Sequence, residues 1–298
     1  MSKLCKILFL FLFVIGCFGA GSASAAQLEG SWYYRDGLSD TGEQKERAFL
    51  QSAQVMDGAW QKFAFPSQPP VTDNTNYMWL MTKLLPEKPE DTTLFFTTTG
   101  QAFRVWLNGE KIYEFGTMQK TLLGNGWRWH LIRLPKITKP SVLVFEMYSK
   151  QPKGLGCLDG MSLGPEISQN RNLFYMDAIC ILTAPIAIVM IIIMLQFVKD
   201  PSAEKKYLYG SIISFLAIYI LWELALSNII YFLLDYPVFW LYALGVLGYV
   251  LPVVANGIVY ETVEEKWKKY ILWGARAYVV VFVIAIVTQL LGMQGLTR

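Results

Sequence analysis

The only histidine of this 298-residue chain, His130, stands in the run Trp127-Arg128-Trp129-His130. A second pairing of a cation with an aromatic, Arg104 and Trp106, lies two residues apart in an alternating segment. Aromatic faces stack on apolar faces of ligands, and a guanidinium forks onto a carboxylate. Arg104, Trp106, Trp127, Trp129 and His130 are therefore the candidate ligand-binding residues, expected to combine into one patch, and their chemistry suits a small-molecule or glycan ligand, carbohydrate or carboxylate-bearing. The competing account is packing, because large aromatics usually fill cores. For Trp129 packing is the preferred account. Arg104 and Trp106 share one face of a strand and stand equally for either role.

Other chemistry finds little support. One histidine excludes a His-rich metal site, and a Ser-His-Asp triad would have to use that residue. No serine sits in a Gly-x-Ser-x-Gly setting, and no Walker or Rossmann glycine pattern occurs. Gly154 and Gly156 are too isolated to cradle phosphate and read as a loop. Glu110 and Glu114 could be drafted as an acid–base pair, but they read as exposed strand carboxylates. The expectation is no catalytic residue, no metal and no cofactor. Acids and bases nearly cancel between residues 26 and 170, and the net charge is only +3, so no nucleic-acid partner is expected.

The elements that must position these residues divide the chain. Between residues 30 and 164, short alternating runs are broken by turn residues. Strands are expected over 31–35, 60–65, 77–84, 92–98, 102–107, 110–115, 129–134 and 142–148. Asn108-Gly109 between two such runs is the strongest hairpin signal. Beside it, alternation places Phe103, Val105 and Leu107 on one face and Arg104 and Trp106 on the other. The pattern predicts an all-β sandwich over residues 26–170, with one helical segment at 40–54. Of the four cysteines only Cys157 lies in this region, so its hydrophobic core and no internal disulfide must hold it.

Charged residues are only 16% of the chain and hydrophobic ones 54%, and most of the charge precedes residue 170. Four later segments pass the length test for spanning helices: about 173–198, 207–226, 238–260 and 270–292. They make residues 171–293 an α-helical transmembrane region, followed by a tail at 294–298. Lys199, Lys205 and Lys206 fall in the first connector and Lys266, Lys268 and Lys269 in the third; the second, 227–237, has no Lys or Arg. The positive-inside rule then puts the two basic loops in the cytoplasm and residues 26–170 outside. Residues 1–25 read as a signal peptide, with Lys3 and Lys6, an apolar stretch at 7–18 and Ala23-Ser24-Ala25 as the cleavage site. Val14-Ile15-Gly16-Cys17 offers a rival reading as a lipoprotein box, with Cys17 lipidated. Both place the chain in a bacterial cytoplasmic membrane, multi-pass and in contact with the lipid bilayer. Asp177, Glu223, Asn256 and Arg276 interrupt the apolar runs near their ends, where structural placement is the simpler account. Pro185 and Pro252 fall inside spans, as kinks or packing features.

The succession Gly30-Ser31-Trp32-Tyr33-Tyr34, Trp60 to Phe65-Pro66, and Tyr77-Met78-Trp79-Leu80 resembles the galactose-binding-like jelly roll of large glycoside hydrolases. Residues 103–111, a strand, an Asn-Gly turn and a strand, look like a signature of that fold. The whole layout is similar to bacterial seven-transmembrane receptors with diverse intracellular signalling modules. There a jelly-roll sensor closes on a short strand ending in Leu-Gly, the place held here by Gly160-Met161-Ser162-Leu163-Gly164. The resemblance implies a sensor that relays a ligand signal to a cytoplasmic output. It also implies seven helices, whereas this sequence stops at Arg298, just past the fourth, so truncation is expected, or an output supplied by a partner. A homodimer is compatible with this reading. The alternative is a membrane-anchored carbohydrate-binding module that signals nothing. Transport is disfavoured, since the helices show no inverted repeat.

Overall fold

The computed structural model describes residues 26–27, 31–37, 50–51, 53, 58–71, 75–85, 93–121, 123–199 and 205–290. The signal peptide, Cys17, the tail and most of the helix expected at 40–54 lie outside the described residues; Leu50, Gln51 and Ala53 are helical. The chain forms two compact units, residues 1–175 and 176–298.

The first unit is built from two antiparallel sheets. Its strands are β1 (Ala26–Gln27), β2 (Trp32–Asp36), β3 (Gln61–Phe63), β4 (Tyr77–Leu84), β5 (Thr93–Thr99), β6 (Gln101–Leu107), β7 (Glu110–Phe115), β8 (Trp127–Arg133), β9 (Ser141–Ser149) and β10 (Asp159–Gly164). One sheet has the order β1-β10-β5-β8, the other β3-β2-β4-β9-β6-β7. All expected strands form, with ends displaced by one or two residues. The two-residue β1 carries too short a pattern to be read from sequence.

Alternation decides what each strand buries. Phe103, Val105 and Leu107 of β6 join Leu80, Phe145 and Met147 from their own sheet. Against them pack Leu94, Phe96, Ile132, Met161 and Leu163 from the other sheet, so the sheets lie face to face over one core. The rings of Phe96 and Phe103 meet across it at 5.4 Å. The hairpin between β6 and β7 turns on Asn108 (φ 52) and Gly109 (φ 88), the left-handed pair that a tight two-residue turn demands. Asn108 Oδ1 accepts the Val142 N–H at 2.8 Å, and its Nδ2 donates to Ser141 Oγ at 3.1 Å, which fastens the turn to β9.

A second apolar cluster covers the outer face of the six-stranded sheet. Trp79, Met81 and Val144 point away from the core and are roofed by Leu50, Ala53 and Trp60. Both faces of that sheet are therefore buried along its middle, an arrangement that alternation alone does not announce.

After β10, a single residue, Pro165, precedes helix α1 (Glu166–Met176), and Asp177 alone separates α1 from α2 (Ala178–Lys199). There follow α3 (Lys206–Leu226), the short α4 (Ile230–Leu233), α5 (Pro237–Thr262) and α6 (Glu265–Leu290). Four of them, α2, α3, α5 and α6, are long and apolar enough to cross a membrane. Apolar side chains along them face outward, Ile179 at 71% and Val280 at 57% exposure, as they do where the surrounding solvent is lipid.

Candidate functional site

The structure separates the residues that the sequence brings together. On β8, His130 and Ile132 point into the core, so Trp127 and Trp129 lie on the outer face of the four-stranded sheet. Arg104 and Trp106 belong to β6 and lie on the outer face of the other sheet. The five residues form no common patch, because the two strands fall in different sheets with the core between them. This corrects the expected composite site.

His130 is fully buried. Its Nε2 lies 2.9 Å from Thr98 Oγ1 and its Nδ1 3.1 Å from the Tyr113 hydroxyl, while the rings of Phe103 and Phe115 close over it at 4.7 and 4.6 Å. Burial, with the Arg128 charge nearby, holds its pKa well below the ordinary 6.5, so the ring is neutral. It is a core residue with satisfied nitrogens, and the expectation that it touches ligand is overturned. Trp129 stacks on Phe95 at 4.5 Å with planes 10° apart, in line with the packing account.

Arg104 is committed internally. Its Nε donates to Glu114 at 3.0 Å and Nη1 to Glu146 at 3.3 Å; Glu146 is only 1% exposed. Lys111 donates to the other Glu114 oxygen at 2.7 Å. Lys111 and then Arg104 outweigh desolvation and lower the Glu114 pKa, so this carboxylate stays ionised as an ion-pair partner. Trp106 packs against the outer apolar cluster. Among the described residues no group of three or more His, Cys, Asp or Glu side chains is placed to hold a metal ion. Burial, then Asp159, pushes the Cys157 thiol up to about 12, which leaves it unreactive at neutral pH.

What sequence reasoning missed lies two residues further along the same outer face. Tyr77 of β4 and Tyr148 of β9 are register partners, and their rings meet at 4.8 Å. With Asn76, Gln119, Lys120 and Lys150 they line a cleft of about 450 Å³. Gly116 (φ +74) sends the chain after β7 over Ala102 toward this cleft; a Cβ there would stand 2.8 Å from Asn125 Oδ1. Met118 O then accepts the Tyr77 hydroxyl at 2.5 Å, which fixes both the ring and the segment carrying Gln119 and Lys120. Asn76 Nδ2 donates to Ser149 O at 2.7 Å and Lys150 O at 3.2 Å, which fixes the other wall. Burial raises the Tyr148 pKa, so its phenol stays protonated. Tyr77 and Lys150 are 73 residues apart, and no local pattern joins them.

In the helical unit, Asp177 is 1% exposed and accepts four hydrogen bonds. Its Oδ1 takes the Asn228 backbone N–H at 2.8 Å and side-chain amide at 2.5 Å, and its Oδ2 takes the Ser227 hydroxyl at 2.6 Å and the Ile229 N–H at 2.8 Å. Glu223, 3% exposed, accepts from Thr183 of α2 at 2.8 Å and from Tyr219.

No family model and no curated protein matches the chain. Among solved structures it is similar to Faecalibacterium prausnitzii β-glucuronidase, at 19% identity and a TM-score of 0.30, over 42% of this chain and 20% of that one. It is also similar to Kluyveromyces marxianus β-glucosidase in complex with glucose, at 14% identity and a TM-score of 0.24, over 54% and 18%. A selenomethionine-labelled form of the latter gives 16% and 0.24, over 54% and 19%. The chain thus spans about a fifth of the length of these structures, and likeness this slight carries no argument.

Proposed function

We propose that the chain is the sensor portion of a transmembrane receptor, of the kind with diverse intracellular signalling modules. Its β unit is a galactose-binding-like jelly roll that binds a ligand outside the cytoplasmic membrane. Its helices relay the bound state inward to an output module. The observation that carries this reading is the junction. Only Pro165 separates β10 from α1, and only Asp177 separates α1 from the first apolar helix. The Asp177 carboxylate is in turn bonded to the turn after α3. A relay needs a path with few slack residues, and here the chain runs from the last strand to the first apolar helix through one helix and two single residues.

Hydrogen–deuterium exchange on the full chain in lipid nanodiscs, with a panel of saccharides and sugar acids, tests this. A ligand that slows exchange in the β-strands is expected also to alter exchange at residues 177 and 227–229. Protection confined to the strands would assign the anchored binding module instead.

A further inference from the structure

The cleft between Tyr77 and Tyr148 has a composition that selects its ligand. Among the described residues that line it, two of six are lysines and none is a carboxylate. Among the described residues neither lysine has an ion-pair partner. The cleft therefore holds two lysine cations that no described residue of its walls pairs with, unlike Arg104 on the same sheet face. The floor is different in kind, formed by Tyr148 at 6% exposure against the half-buried Tyr77 ring. The Gln119 amide and the protonated Tyr148 phenol add neutral hydrogen-bonding groups. Cations call for an acid group, an aromatic wall for the apolar face of a ring, and neutral polar groups for hydroxyls. The volume of about 450 Å³ falls in the range of small-molecule pockets, about 300–1,000 Å³. A bare inorganic anion would leave most of it empty.

We propose that this cleft is the ligand site of the β unit and that it takes a sugar acid, a saccharide ring bearing a carboxylate. The proposal rests on the reading that the β unit binds a ligand, and names where and of what class. The carboxylate lies between Lys120 and Lys150, and the ring lies against Tyr77. Both walls are pre-set, one by the Tyr77–Met118 hydrogen bond and the other by Asn76, so little order has to be gained on binding.

The test is calorimetric or saturation-transfer titration of the full chain in a zwitterionic detergent with D-glucuronate, D-glucose and inorganic phosphate. Glucuronate is expected to bind saturably, with glucose and phosphate each at least about tenfold weaker, the measure of one charge-assisted contact. Lys120→Gln with Lys150→Gln should weaken glucuronate by about tenfold or more and leave glucose unchanged. Lys62→Gln, an exposed β3 position outside the cleft, should change nothing. Raising salt should weaken glucuronate alone. Glucuronate binding no tighter than glucose overturns the acid assignment. Phosphate binding as tightly as glucuronate reduces the cleft to an anion patch and overturns the saccharide. Unchanged binding in the double lysine variant places the site elsewhere. If any of these occurs while another saccharide alters exchange at Asp177, the assignment of a sugar acid to this cleft falls and the receptor reading stands.

Discussion

Burial of a titratable ring at the centre of the β unit gives this domain a built-in acid sensitivity. His130 is neutral in the folded chain, with a pKa well below 6.5, while in the unfolded chain it titrates near 6.5. Below that value the unfolded state binds the extra proton, so the stability contribution is complete above about pH 6.5 and is lost as pH falls. The limiting slope is about 1.4 kcal/mol per pH unit for one such group. Thermal unfolding of the β unit, followed by near-ultraviolet circular dichroism between pH 7.5 and 5, should show the melting temperature falling. His130→Gln keeps a donor and an acceptor for Thr98 and Tyr113 and cannot titrate. It is expected to start less stable and to lose most of that slope; a slope unchanged in the variant would assign it to other groups. Residue types on β8 gave no warning of this, since Trp127, Trp129 and His130 all suit a binding surface. Only the pleat, which turns His130 inward and its neighbours outward, separates the two roles.

At the scale of elements, the strands and the apolar helices were legible, because each is set by local periodicity. The Asn108-Gly109 hairpin, for instance, needs nothing beyond two residues that tolerate positive φ. The turn after α3 was not legible. Its Ser227, Asn228 and Ile229 donors meet one carboxylate 50 or more residues earlier. Asp177, just before α2, thus clasps the turn between α3 and α4. Asp177→Ala leaves four donors without their acceptor at a site 1% exposed. The expected cost is about 3 kcal/mol, read as a lower midpoint when the full chain is unfolded from mixed micelles with SDS. The circular dichroism of the β unit should not change. Asp177→Asn, which keeps one carbonyl acceptor, should fall between the two. Equal midpoints for wild type and Asp177→Ala would mean that this carboxylate does not hold the turn after α3.

For the whole molecule, the asymmetry of loop lysines predicts an orientation that can be checked directly. With native cysteines replaced by serine, single cysteines at Lys205 and Lys268 should resist an impermeant maleimide in intact spheroplasts and react after lysis. Cysteines at Asp235, in the connector without Lys or Arg, and at Lys139, in the β unit, should react in both. Labelling at 205 or 268 before lysis would reverse the assignment. Much of this architecture is written in composition. Long runs without charge dictate helices long and apolar enough to cross a membrane, and short alternating runs closed by turn residues dictate an antiparallel β unit. Those follow from backbone hydrogen bonding and the hydrophobic effect acting over ten or twenty neighbouring residues. What only the tertiary structure decided is which side chains meet. Placing β6 and β8 in different sheets divided the expected binding patch and buried His130, and pairing Arg104 with Glu146 and Glu114 removed it as a free cation. Pairing β4 with β9 set Tyr77 beside Tyr148 and, with the turn at Gly116, brought Lys120 across to Lys150. Strand order depends on how apolar faces from distant segments pack into one core, and no window of sequence contains that information.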